Sequence, residues 1–313
     1  MNFDLSDDQI ALRDGIRALV DGRFPMSRVR EGFDRSVHEE LATAGVFSLR
    51  ADGFAWTDAA VVYEELGRGL VPGPLVWCFG RERVTTGFDA QLAGTAFIEF
   101  LGLVDDVIAV GLRTHPVEAD ERMALLTPAD SIRMSGPEHW PLDPLTPVWR
   151  TDKQVVGGSR LKESADDLWN SGALLTAAYC VGMADRLTEM AVAYAMERQQ
   201  FDRPIGSFQA VKHICADMAV RAELARASVH AAACVMDDAT TGPLARAVAG
   251  AKLMAGEAAI LNGRSATQVY GGMGFTWEVD VHLYLKRAWV FETHFGGGDH
   301  HADALAATMP TRS

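Results

Sequence analysis

Glu197-Arg198-Gln199-Gln200-Phe201-Asp202-Arg203-Pro204-Ile205-Gly206-Ser207-Phe208-Gln209 closes one long helix, makes a Pro/Gly turn and opens another. Around the aromatic Phe201 it gathers a permanently charged fork, Arg198, and two amide donors, Gln200 and Gln209. Such a donor set suits a diphosphate and its attached nucleotide, because a planar guanidinium grips phosphate with paired, charge-assisted hydrogen bonds. A helix C-terminus ending in a solvated arginine reads the same way in isolation. The company the stretch keeps along the chain decides between the two.

On both sides of it the apolar residues recur at helical spacing. Residues 174–196 form an apolar run with small residues that permit close helix packing. Its partner spans 211–236, with Ile214, Met218, Leu224 and Val229 on one stripe. An Ala-rich helix follows over 244–269, a fourth over 281–294, and a terminal turn or two over 302–309. At the other end of the chain, Ser6 followed by Gln9 is a capping-box pattern, and Leu12, Ile16, Leu19 and Val20 then share a face. Further helices are expected over 39–46, ending near Gly45, and over 57–69, with Val61, Val62 and Leu66 inward and Gly67 and Gly69 at its end. Val71-Pro72-Gly73-Pro74 forbids further helix and marks a boundary.

Between these helical regions the character changes to short, partly β-branched apolar runs at 95–100, 106–111 and 123–126, with another strand possible at 146–149. The fold class is therefore α+β, mostly α. It divides into an N-terminal helical domain (1–75), a small β domain (76–164) and a C-terminal four-helix bundle (165–313).

The 313 residues suffice for a substantial core, and a formal net charge of −13 argues against nucleic acid or an anionic membrane as the main partner. A phosphate-bearing cofactor is still compatible, since local donors dominate at short range. Cys78, Cys180, Cys215 and Cys234 are scattered without a CxxC spacing, which fits a reduced, cytoplasmic compartment rather than a zinc site or disulfide framework. Met1 to Asp8 is acidic and lacks a secretory pattern, and no run of about 18 apolar residues is long enough for a membrane span.

A second constellation is Gln268-Val269-Tyr270-Gly271-Gly272-Met273-Gly274-Phe275. Its glycines let a backbone approach a ligand closely or take positive φ, although a helix C-cap explains them too. No strand precedes them, so a dinucleotide-binding GxGxxG reading fails.

Taken in order, ERxxF, then Gln209, then Gln-x-x-Gly-Gly-x-Gly-Phe resembles the acyl-CoA dehydrogenase family. The resemblance extends to Glu64-Glu65-Leu66-Gly67-Arg68 and to the helical–β–helical order. It is strong over 165–290, reasonable over 1–75 and poor between. It implies an FAD shared across a subunit interface. The share given to the neighbour's flavin would fall on Arg198, Gln200, Phe201, Gln209, Gln268, Gly271 and Gly272.

The family's reaction takes an α proton and a β hydride from an acyl-CoA, which needs a carboxylate base opposite the flavin ring. The resemblance puts that glutamate at one of two positions, which here hold Phe295 and Gly172. Glu292 and Asp299 are nearby substitutes, but a shift of one helical turn, about 5 Å, misplaces a base. Both read better as solvated helix-end charges. His294, His300 and His301 read as ordinary surface histidines rather than metal ligands.

The family's Thr-Glu-Pro-x-x-Gly-Ser-Asp-type loop and Trp-x-x-Asn-type strand, which wrap the flavin ring, are also missing, and Pro137-Glu138-His139-Trp140-Pro141 is no substitute. The chain thus looks like the short, base-lacking subunit of actinobacterial α2β2 acyl-CoA dehydrogenases of steroid catabolism. That resemblance implies a full-length partner subunit carrying the flavin ring and base. It also implies an acyl-CoA substrate and electron-transferring flavoprotein as acceptor. Two alternatives stay open: a self-sufficient homo-oligomer using Glu292 or Asp299, and a flavin-free assembly subunit.

Overall fold

The computed structural model describes residues 4–32, 34–73, 75–79, 97–104, 107–113, 127–128, 142–145, 148–151 and 165–309. Helix α1 (Asp7–Arg23) starts as its capping box predicts: Ser6 Oγ accepts from Gln9 N at 3.2 Å, and Gln9 Oε1 accepts from Ser6 N at 3.1 Å. Ile16 and Val20 face the core. A short helix α2 (Met26–Val29) follows, then α3 (Arg35–Thr43), which begins earlier than its apolar residues suggest because Asp34 caps it through Ser36 N. Helix α4 (Trp56–Arg68) carries Val61, Val62 and Leu66 inward, as expected. Its first N–H groups, which no helix can satisfy internally, are taken up by Asp237 from across the molecule, at 2.7 Å from Trp56 N and 3.1 Å from Thr57 N. The Pro/Gly segment does not end helix altogether. A single turn, α5 (Leu75–Cys78), resumes directly after Pro74.

The middle region contains an antiparallel sheet of order β3-β2-β1-β4, formed by β1 (Phe97–Val104), β2 (Val107–Arg113), β3 (Thr127–Pro128) and β4 (Val148–Thr151). The β1–β2 ladder shifts register between Phe100 and Leu103. The runs expected at 95–100, 106–111 and 146–149 each coincide in part with a strand, whereas 123–126 and 137–141 lie outside the described residues.

The bundle is built from α6 (Ala165–Glu197), α7 (Gln209–Asp237), α8 (Leu244–Tyr270) and α9 (Val281–Thr293), with α10 (Gly298–Ala307) packed on α8. Its interior is rich in alanine, and on α7 the buried stripe is Met218, Ala222, Ala225, Val229, Ala232 and Ala233. Leu224, expected on that stripe, is instead 54% exposed. Buried Asn262 joins three helices, with Nδ2 3.0 Å from Ala184 O and 2.9 Å from Met218 O while Oδ1 accepts from Arg221 Nε at 2.9 Å.

Helix α4 lies directly against α6. A Cβ on Gly67 would sit 2.0 Å from Tyr179 O, and one on Gly182 would sit 1.8 Å from Glu64 O, so the two backbones touch through their glycines. The N-terminal helices and the bundle therefore share one apolar core. Among the described residues no helix is long and apolar enough to cross a membrane.

Candidate functional site

The sequence-derived residues fall into two clusters, one at each end of α6. At its C-terminal end, β5 (Gln199–Gln200) and β6 (Arg203–Pro204) pair as a minimal hairpin closed by Ile205 N donating to Arg198 O at 2.8 Å. Phe201 and Asp202 form the turn with φ of 53° and 60°, the left-handed pair that a tight two-residue hairpin demands. The Phe201 ring stands 85% exposed, edge-on to Phe208 at 6.1 Å, and the Arg203 guanidinium lies 4.1 Å over Phe208. Arg198, Gln200 and Gln209 are exposed around it.

Because α6 and α8 run in the same direction, the C-terminal end of α8 lies beside that of α6, with Tyr270 OH 3.3 Å from Met190 O. Gly271 takes φ 62° and donates its N–H to Gln268 O. A Cβ at Gly271 or Gly272 would find nothing within 4 Å, so this backbone is open. Gln268, Gly271 and Gly272 are all exposed. An exposed guanidinium, three amides and bare glycine backbone can donate charge-assisted and neutral hydrogen bonds to an anionic oxygen.

What joins the two loops is a pair that sequence reasoning passed over. Tyr194 and Tyr270 stack with ring centroids 4.0 Å apart and planes 13° from parallel. The signal was available: a tyrosine one turn before Arg198 and another directly before Gly271.

At the other end of α6, Gly172 and Phe295 meet. A Cβ on Gly172 would come within 2.0 Å of Phe295 Cε1, so the phenyl ring fills the space beside the glycine. Phe295 is 4% exposed and holds φ 54°, a strained value for a bulky residue. Side chains fix the turn that carries it. Lys252 Nζ donates to Glu292 O at 2.8 Å and Gly296 O at 3.1 Å, and His301 Nε2 lies 2.8 Å from Phe295 O. Glu292 Oε1 accepts from Gly298 N at 2.5 Å, capping α10.

Glu292 is therefore half-buried and engaged rather than solvated, while Asp299 is exposed. With Trp169 and His300 they line a cavity of about 250 Å3. His294 and His301 are not surface residues: each is 2% exposed, and burial holds them down to about 3 and about 4, respectively, so both are neutral at neutral pH. Lys252, in an apolar helical run, was the overlooked charged residue here. Among the described residues no three His, Cys, Asp or Glu side chains are grouped to hold a metal.

The two clusters lie on one unbroken 33-residue helix, and at 1.5 Å per residue Gly172 and Glu197 are roughly 38 Å apart. A separate polar cavity of about 520 Å3 between α1, α4, α6 and α7 is lined by already paired charges, including Arg17 with Glu65 at 2.6 Å and Arg226 with Glu64 at 3.1 Å.

Residues 164–309 match the family model described as acyl-CoA dehydrogenase, C-terminal domain. The chain is 32% identical over 303 residues to acyl-CoA dehydrogenase IpdE2 of Mycolicibacterium smegmatis, covering 91% of this chain and 93% of that protein. Among solved structures, the ChsE4–ChsE5 complex from Mycobacterium tuberculosis superimposes with a TM-score of 0.74 at 20% identity, covering 99% of this chain and 100% of that one. The Tcur3481–Tcur3483 steroid ACAD G363A variant also gives a TM-score of 0.74 at 20% identity, covering 96% of this chain and 97% of that one. These similarities bear out the mostly helical fold expected from the sequence.

Proposed function

The chain belongs to the acyl-CoA dehydrogenase family, and from that premise we propose that it is one subunit of a heteromeric, FAD-dependent acyl-CoA dehydrogenase. It completes a flavin site held by a full-length partner and does not supply the catalytic base. The observation that carries this reading is the Phe295 ring lodged against Gly172, which fills with hydrocarbon the two positions where a base is expected.

The donor set at the far end of α6 fits the group. Arg198, Gln200, Gln209 and Gln268 would hold the diphosphate and adenosine portion of FAD, Phe201 would flank it, and the open backbone of Gly271 and Gly272 would admit it. When bound, FAD supplies acceptance of the hydride leaving the acyl β-carbon. This chain's residues bind and orient. The two ends of α6 are too far apart for one dinucleotide to touch both, so the exposed cluster is suited to a neighbour's flavin. Names of similar proteins, an IpdE2 acyl-CoA dehydrogenase, a ChsE4–ChsE5 complex and a Tcur3481–Tcur3483 steroid ACAD, support a heteromer acting on a steroid-derived acyl-CoA. Electron-transferring flavoprotein would be the acceptor, and the compartment cytoplasmic.

The test is purification of this chain alone and together with its full-length partner. Alone it should carry little FAD and show no acyl-CoA dehydrogenation; together the pair should carry one FAD per heterodimer and turn over. One FAD per chain with turnover in the isolated protein would overturn the proposal. In that event Glu292→Gln and Asp299→Asn would identify a relocated base.

A further inference from the structure

We infer that Tyr194 and Tyr270 form a positioning lock that holds the two halves of the nucleotide-facing surface in register, an inference that rests on the donated-site reading above. The halves come from helix ends far apart in sequence. Helix ends fray, because their last carbonyls lack intrahelical partners, so two such ends would not by themselves keep a fixed spacing. The stacked rings bridge them directly, at 4.0 Å and 13°.

Each tyrosine also reaches across to the other's side. Tyr194 OH points to Met273 Sδ at 3.7 Å, inside the glycine-bearing turn, while Tyr270 OH donates to Met190 O of α6 at 3.3 Å. The backbone of the ERxxF stretch hangs from the same residue, since Arg198 N donates to Tyr194 O at 2.8 Å. On the other side Tyr270 leads straight into Gly271, where the chain turns to φ 62°. Gly206 seats the returning hairpin on α6, where a Cβ would lie 2.9 Å from Ala195 O. Arg198 and Gly271 are thus each tied through the main chain to one residue of the stacked pair. Both tyrosines are half-buried, so they act through these loops rather than as the exposed binding groups.

The experiment uses the assembly purified through a tag on this chain, with FAD dissociation measured by flavin fluorescence on dilution and subunit association measured separately by light scattering. Tyr194→Ala and Tyr270→Leu, the latter filling space without a stacking ring, should each raise the FAD dissociation constant about tenfold in assemblies that remain intact. Tyr194→Phe and Tyr270→Phe keep the stack and should stay within about twofold of the parent. Arg198→Ala is the control for the underlying reading.

If Arg198→Ala weakens FAD while neither stack-removing variant does, the lock is wrong and the donated site stands. If none of the three changes FAD affinity, the donated site is wrong and the lock falls with it. Equal loss in the Phe and the non-aromatic variants would also overturn the lock, because it would trace the effect to the hydroxyls rather than to the stack.

Discussion

At the residue scale, Gly172 and Phe295 are one feature in two parts. The ring occupies the volume that any Cβ at Gly172 would need, at 2.0 Å from Cε1. Gly172→Ala should therefore cost about 1–3 kcal/mol by overpacking, and Phe295→Ala about 3–5 kcal/mol by leaving a cavity. In the Phe295→Ala background, however, Gly172→Ala should cost close to nothing, and urea unfolding of the four species would show this as a coupling of the same size as the single overpacking cost. Additive effects would mean that the ring and the glycine are not in contact. The same turn predicts a pH dependence. His294 and His301 are held down to about 3 and about 4 by burial, whereas in the unfolded chain each titrates near 6.5. The unfolded state binds these protons first, so their contribution is complete above pH 6.5 and is lost as pH falls toward the folded values. Each histidine should remove roughly 1.4 kcal/mol per pH unit below about 6.5, readable as falling urea midpoints between pH 7 and pH 5. A flat profile would contradict their burial. The sequence reading set Gly172 and Phe295 at the two positions expected of a base. Their mutual contact was not legible, because no local periodicity relates the start of α6 to the turn after α9.

At the element scale, α4 and α6 cross so closely that each glycine faces a main-chain carbonyl rather than a flexible side chain. Gly182→Ala would place its Cβ 1.8 Å from Glu64 O, and backbone cannot swing aside as a side chain can. The helices would have to separate, at a cost of about 3 kcal/mol or more, the upper part of the overpacking range. A thermal midpoint within a degree or two of the parent would show that the crossing is looser than this. Helix existence was easy to read here, since the apolar spacing and the Ser6–Gln9 box act locally. The inward face of α7 was harder. Met218 and Val229 lie on the buried stripe as expected, but the rest of it is mostly alanine, which a hydrophobic pattern underweights, and Leu224 points outward. The hairpin at Gln199–Pro204 was legible as a Pro/Gly turn, but its left-handed Phe201–Asp202 pair was not, because Phe carries no positive-φ signal and Asp alone only a weak one.

At the scale of the whole molecule, the segment leaving α4 is a seam stitched to the bundle rather than a free linker. Tyr284 OH donates to Arg68 O at 2.7 Å, Tyr179 OH donates to Val71 O at 2.9 Å, and Tyr63 OH donates to Leu75 O at 2.8 Å. At its centre Arg287, fully buried, donates to Tyr179 OH at 2.7 Å and to Val71 O at 3.2 Å, and pairs with the equally buried Asp143. Asp143 in turn accepts from Leu145 N at 2.9 Å, so one ion pair binds the N-terminal helices, the segment near 143 and the bundle. The prolines announced a boundary here, but a sequence cannot show that Arg287 reaches it from α9. The pair makes the last prediction. Asp143→Ala would strand a guanidinium in apolar surroundings and should cost about 3–5 kcal/mol, seen as a lowered unfolding midpoint of the assembled protein. Replacing both partners, Asp143→Leu with Arg287→Met, removes the stranded charge along with the pair and should recover most of that loss. If the double variant were instead as unstable as the sum of its parts, the hydrogen bonds from Arg287 to Tyr179 and Val71, not the ion pair, would be what holds the seam together.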